Sequence, residues 1–151
     1  MKNVPLFSVV IPVLNEEPNL RLLYEEVATF MVSRQSSFEI LFVDDGSTDG
    51  TATVLKALSK DPLVSVFTFA CPRGKSAALA KGFQHARGQY VVTMDGDLQD
   101  QPKEIEKLWK VMERTDADLV SGWKKVRHDP WHKIVSSRLF NALVRLITGV
   151  K

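Results

Sequence analysis

Apolar residues follow two rhythms along this chain. Phe7–Val13, Phe38–Val43, Val64–Phe69 and Tyr90–Met94 are nearly unbroken runs rich in β-branched and aromatic side chains. That pattern predicts strands buried on both faces, as in a parallel sheet. Between the runs, apolar positions recur every three or four residues. Leu20, Leu23, Val27 and Phe30 predict one helix, opened by Asn15-Glu16-Glu17-Pro18 and closed by the polar stretch Ser33–Ser37. Val54, Leu55 and Leu58 predict a shorter one. A third runs from Ser76 to about Arg87, with Leu79, Phe83 and Ala86 on one side and Gly88 as its stop. A fourth starts near Pro102 and lines up Ile105, Leu108, Trp109 and Met112. Ala117–Gly122 is expected to form a fifth, short strand.

Strands alternating with helices at this spacing predict an open α/β sheet with right-handed parallel crossovers. Ligands of such sheets sit beyond the carboxyl ends of the strands. Glu16, Asp44, Asp45, Asp95 and Asp97 all fall there, with the basic turn Arg73-Gly74-Lys75 beside them. An isolated Asp-x-Asp tripeptide is as readily an acidic turn as a site. Here five acids share one address, and that predicts a ligand site.

Composition narrows the class without naming it. The chain has 151 residues, 44% hydrophobic and 25% charged, enough for one core. A formal net charge of +2 gives no case for nucleic acid, although the acids concentrate in the first two thirds and the tail is basic. The single cysteine, Cys71, excludes an internal disulfide and a cysteine-based zinc site. Met1-Lys2-Asn3-Val4-Pro5 lacks the long apolar stretch of a signal peptide and no run approaches about 18 apolar residues, so this stretch is expected to be soluble.

Three carboxylates within six residues, Asp95, Asp97 and Asp100, repel one another unless a cation offsets them. Oxygen donors with no nearby Cys/His cluster select Mg²⁺ or Mn²⁺ over Zn²⁺, and such ions commonly accompany phosphate. Neither G-x-x-x-x-G-K-S/T nor G-x-G-x-x-G occurs, which removes the P-loop and dinucleotide-binding readings. There is no G-x-S-x-G elbow, and His85, His128 and His132 stand far from the acidic turns. A metal-held diphosphate remains: Asp97 with Asp95 on the ion, and Asp44 or Asp45 on a base edge or a ribose.

Ser8-Val9-Val10-Ile11-Pro12-Val13-Leu14-Asn15-Glu16-Glu17, Val43-Asp44-Asp45-Gly46-Ser47-Thr48-Asp49-Gly50-Thr51 and Gly88–Gln99, in that order, resemble family 2 glycosyltransferases of the GT-A (Rossmann-like) fold. Asp95-Gly96-Asp97-Leu98-Gln99-Asp100-Gln101-Pro102 resembles the subgroup that transfers a sugar from a nucleotide donor to a polyprenyl phosphate, such as dolichyl-phosphate mannose synthases and undecaprenyl-phosphate glycosyltransferases. The resemblance implies an open, mostly parallel sheet flanked by helices, and a UDP- or GDP-sugar donor. It implies that Pro12, Glu16, Asp44, Asp45, Lys75 and Asp95 contact the donor nucleotide, and that Asp95, Asp97 and Gln99 hold Mg²⁺ or Mn²⁺. Asp95 and Asp97 are thereby the catalytic pair. Cys71-Pro72 departs from the Arg-Asn more usual there.

The same resemblance divides the chain into a nucleotide-sugar-binding core, 1–122, and a basic acceptor-side segment, 123–151, of one domain. From Val135 on, Leu139, Phe140, Leu143, Leu146 and Ile147 face opposite to Arg138, Asn141 and Arg145. Such a helix either packs on the sheet or lies on a membrane surface. By resemblance Arg127 and Arg138 grip the acceptor phosphate, and the full-length protein works at the cytoplasmic face of a membrane. A homo-oligomer is compatible with this reading. Relatives of the subgroup continue past the equivalent of Lys151, so the chain is expected to be truncated at its C-terminus. Two other readings stand beside it: a family 2 transferase acting on a sugar hydroxyl of a polysaccharide, and a non-catalytic nucleotide-sugar-binding fragment.

Overall fold

The computed structural model describes residues 4–115 and 117–122. Strands and helices alternate as β1 (Phe7–Val13), α1 (Leu20–Ser33), β2 (Phe38–Asp44), α2 (Thr51–Leu58), β3 (Val64–Thr68), α3 (Lys75–His85), β4 (Tyr90–Thr93) and α4 (Glu104–Arg114). Every pairing is parallel, and the order across the sheet is β3-β2-β1-β4. The chain therefore starts in the middle of the sheet, builds outward through β2 to β3, and returns through α3 to the far side of β1. The expected α/β architecture is the one observed, and its order reverses between β1 and β4.

Alternation along β1 explains the layers. Val9 and Ile11 point to one face, where they join Leu20, Leu23, Val27 and Met31 of α1, Leu55 of α2 and Ile105 of α4 in one buried cluster. Phe42 and Ile40 of β2 complete it. Fully burying each such side chain stabilises the fold by about 1.5–3 kcal/mol. Phe7 and Tyr90 meet Trp109 edge-on, with ring centroids 5.0 and 4.4 Å away, and so seat α4 on this face.

The other face of β1 carries Ser8 and Val10, and α3 packs there. The face of α3 is not the one expected. Its buried residues are Ala78 and Gly82, whereas Phe83 is 49% exposed. A methyl group on Gly82 would come within 2.3 Å of Val10 Cγ1, so the helix lies too close to the sheet for anything but small residues. Two further expectations are corrected. Ala117–Gly122 forms no strand: it joins none of the three ladders, and a strand exists only through a partner. Helix α1 opens at Leu20 rather than at Asn15, because the amides of Asn15 and Glu16 are drawn to the side chains of Ser47 in the β2–α2 turn and of Thr51 at the start of α2. Arg127, Trp131, Arg138 and the tail helix expected from Val135 lie outside the described residues. No helix among the described residues is long and apolar enough to cross a membrane.

At the amino ends of β1 and β2 a buried polar knot closes the α3 layer. Glu39, 3% exposed, accepts from the Ser8 hydroxyl at 2.7 Å, from the Arg87 amide at 2.7 Å and from the Arg87 guanidinium at 2.6 and 2.9 Å. Ser8 Oγ in turn accepts from the Gly88 amide. Burial pushes the Glu39 carboxyl up, but these hydrogen bonds and the Arg87 charge outweigh it and hold the group below its ordinary 4.5. A depressed carboxyl stabilises the folded state above its unfolded pKa and loses that contribution as pH falls through the folded value. Glu39→Gln is expected to cost about 2 kcal/mol at pH 7, discounted for the half-exposed guanidinium. That is a fall in Tm of roughly 4–8 °C. The gap between wild type and variant in thermal melts should narrow as the pH is taken below 4; a gap equal at pH 7 and pH 3.5 would show that the charge of Glu39 contributes nothing.

Candidate active site

The reversal of strand order opens a crevice between the carboxyl ends of β1 and β4. A cavity of about 220 Å³ occupies it, lined by Pro12 and Val13 at the end of β1, Leu14 and Glu16 just beyond it, Asp45 after β2, Lys75 at the start of α3, and Asp95, Gly96 and Asp97 after β4. Six residues singled out in the sequence therefore share one cavity: Pro12, Glu16, Asp45, Lys75, Asp95 and Asp97. Asp44 stands behind it, 1% exposed, with Oδ1 accepting from the Ser47 amide at 2.9 Å. Gln99 is exposed and its amide donates to Asp97 Oδ1 at 3.1 Å. Arg127 and Arg138 lie outside the described residues.

The loops that carry these groups are locked by side chains rather than by regular structure. Asn15, with φ +56°, takes the turn after β1 into the left-handed region that asparagine tolerates. Its amide donates to Ser47 Oγ and its side-chain oxygen accepts from the Thr48 amide, both at 2.9 Å. The Glu16 amide donates to Thr51 Oγ1 at 2.9 Å. The Thr51 hydroxyl and amide both donate to the Asp49 carboxylate and hold it below its ordinary range. Glu17 closes the arrangement by accepting from the Gly50 amide at 3.0 Å. Sequence reasoning passed over Asn15, Ser47 and Thr51 in this role; the signal available was a run of small turn-forming side chains on both strand exits.

Asp45 ties the second wall. Its two carboxylate oxygens accept from the amides of Arg73 and Gly74 at 2.7 and 2.8 Å, which fixes the turn leading into α3. From the first residue of α3, Lys75 sends its ammonium to Asp95 Oδ1 at 2.5 Å. The Asp95 amide donates to Asp100 Oδ2 at 3.1 Å, and Leu98, with φ +62°, bends the chain back within the same acidic turn. No group of three or more His, Cys, Asp or Glu side chains that could hold a metal is gathered among the described residues.

An open α/β sheet with an acidic cavity at its switch point defines a class of ligand-binding domains, and comparison with known proteins narrows it. Residues 8–148 match Glycosyl transferase family 2, and the chain belongs to that family. It is 40% identical over 147 residues to the dodecaprenyl-phosphate galacturonate synthase of Rhizobium johnstonii, covering 95% of this chain and 44% of that protein. It is 38% identical over 144 residues to the undecaprenyl-phosphate 4-deoxy-4-formamido-L-arabinose transferase of Sodalis glossinidius, covering 94% and 44%. The chain thus spans less than half the length of these curated relatives. Among solved structures, it superposes with a TM-score of 0.70 on glucosyl-3-phosphoglycerate synthase of Mycobacterium tuberculosis in complex with UDP, at 21% identity over 96% of this chain and 51% of that one. A mannosyltransferase of Pyrobaculum calidifontis, in complex with GDP-Man and Mn²⁺, gives a TM-score of 0.61 at 27% identity over 72% and 32%. The GT-A fold expected from the resemblance is the fold of this chain.

The acidic edge depends on one glycine. Gly46 has φ +80°, and a Cβ there would stand 2.8 Å from the Cys71 carbonyl carbon and the Pro72 nitrogen. Gly46→Ala should therefore lower the unfolding free energy by at least about 2 kcal/mol, from left-handed strain plus overlap with backbone. Urea unfolding is expected to show a lower midpoint with an unchanged slope; an unshifted midpoint would mean that the two turns do not touch as described.

Proposed function

We propose that this chain is the donor-binding part of an inverting transferase that moves a sugar from a UDP- or GDP-sugar to a polyprenyl phosphate. The observation that carries the proposal is the convergence of Glu16, Asp45, Lys75, Asp95 and Asp97 on one cavity at the switch point. Support for the donor comes from the Pyrobaculum mannosyltransferase with GDP-Man, and for the acceptor from the names of the two relatives above.

The donor set fits a hard divalent ion. Asp95 and Asp97 offer carboxylate oxygens, with no thiolate or imidazole in the lining. Mg²⁺ and Mn²⁺ are commonly held by one or two carboxylates, the remaining positions going to substrate phosphates and water. Asp95 and Asp97 would hold such an ion, which when bound would stabilise negative charge on the leaving diphosphate. The Lys75 ammonium adds a second positive charge to the same diphosphate. Asp45 keeps the turn below Lys75 in place, and Pro12 and Glu16 wall the nucleoside side of the cavity. A volume of about 220 Å³ falls short of the roughly 300–1,000 Å³ that encloses a whole small ligand. On this reading the cavity contacts only part of the donor.

In the transfer itself, an oxygen of the lipid phosphate attacks the anomeric carbon from the face opposite the diphosphate. The new carbon–oxygen bond forms as the bond to the nucleoside diphosphate breaks, and that group leaves with the electron pair. The nucleophile is already anionic at neutral pH, so the step makes little demand for a strong base. On this reading residues 123–151 form the acceptor side, Arg127 and Arg138 meet the lipid phosphate, and the basic tail faces a membrane surface.

Calorimetric titration of UDP, GDP and their sugar conjugates, with Mn²⁺, Mg²⁺ or EDTA, tests the donor site. One base should bind with at least about tenfold higher affinity in metal than in EDTA, and Asp97→Asn should abolish that gain. Failure of every nucleotide to bind in every condition would overturn the proposal.

A further inference from the structure

The cavity is strongly unbalanced in charge, with four carboxylates and a single basic side chain, Lys75, in its lining. Three of the carboxylates already have partners of their own: Glu16 accepts from Asn19 Nδ2 at 2.7 Å, Asp45 from the Arg73 and Gly74 amides, and Asp97 from the Gln99 amide. The Asp95 carboxylate is held by the Lys75 ammonium, 2.5 Å from Oδ1. At Asp95, one of the two carboxylates expected to hold a divalent cation, that place is thus taken by a cation that the chain carries itself.

Two features make that cation exchangeable. The Lys75 side chain is 60% exposed and Asp95 36%, so the pair faces solvent and a flexible four-carbon stem can reorient without opening the core. The base of the stem is fixed, because Asp45 clamps the two amides immediately before Lys75. The ammonium can therefore reorient while its point of attachment stays fixed beside the cavity.

We infer that Lys75 is a placeholder cation that couples metal binding to diphosphate binding. Resting on the nucleotide-sugar reading, the inference is that the ammonium occupies Asp95 while the cavity is empty of nucleotide, and is drawn off by the incoming diphosphate, which frees Asp95 for the ion. A divalent ion arriving alone meets both the competing ammonium and its repulsion. It also finds no third carboxylate, imidazole or thiolate gathered with the pair among the described residues. Ion and diphosphate consequently tighten each other by the same factor, as linkage requires. The arrangement keeps the acidic turn from collecting free metal and confines the assembled site to the donor-bound state.

The test uses the whole chain and reads binding, not turnover. Mn²⁺ alone, and Mn²⁺ in the presence of whichever nucleoside diphosphate binds best, are titrated calorimetrically into wild type, Lys75→Met and Lys75→Arg. Lys75→Met is expected to bind Mn²⁺ alone roughly tenfold more tightly than wild type, the scale set by removing one like charge at contact distance from a divalent ion. The gain in Mn²⁺ affinity that wild type draws from the nucleotide should shrink in Lys75→Met, and Lys75→Arg should retain wild-type behaviour. A purely structural role for the side chain would move Tm instead and leave the metal affinity alone. If wild type shows metal-dependent nucleotide binding but Lys75→Met takes up Mn²⁺ alone no better than wild type, the placeholder role is overturned and the donor site stands. If wild type binds no nucleotide, the donor-site reading falls and the placeholder role falls with it.

Discussion

Carboxylates that hold backbone amides are the interaction on which this site depends. All four strands run in one direction, so their exits, and the acids on them, crowd a single edge. Such crowding is tolerable only where each charge has a partner, and charge-assisted bonds to N–H groups are among the strong ones. Asp44 holds the Ser47 amide, Asp45 those of Arg73 and Gly74, Asp97 that of Gln99, and Asp100 that of Asp95. The same bonds that make the charge tolerable fix the loops that carry it.

This double use separates two kinds of acid that look alike in the chain. Asp44 and Asp45 are adjacent, yet Asp44 is turned inward to its own turn while Asp45 reaches across to the start of α3 and also lines the cavity. Neighbours on a strand end point to opposite faces, so one of the pair necessarily leaves the ligand side. Asp95 differs again in that its carboxylate meets an exposed side-chain ammonium rather than a backbone amide. Rigid partners suit a wall, and an exchangeable partner suits a group that must change ligands.

At the opposite edge of the sheet an acid is satisfied wholly by the protein's own donors. Glu39 is buried deeper than Asp45 and has every oxygen engaged by Ser8 and Arg87. It fastens the return from α3 to β4, and so fixes where β4 enters the sheet beside β1. The crevice at the far end of β4 inherits its position from that fastening.

Much of this was legible in residue order alone. Unbroken β-branched runs specify buried strands, and because parallel strands all end on one side, the acids of Glu16, Asp45, Asp95 and Asp97 had to meet. Other features needed the folded chain. Ala78 and Gly82, not Leu79 and Phe83, face the sheet, because how closely α3 approaches Val10 is a property of packing and not of helical period. Ala117–Gly122 has strand-like composition but no ladder to join. The bonds from Asn15 to Ser47, Glu16 to Thr51, Asp45 to Gly74 and Lys75 to Asp95 link positions 20 to 35 residues apart. Periodicity decides which residues are buried and at which end of the sheet a turn falls; only the tertiary structure decides which donor each carboxylate finds, because that depends on distances between loops that local sequence does not encode.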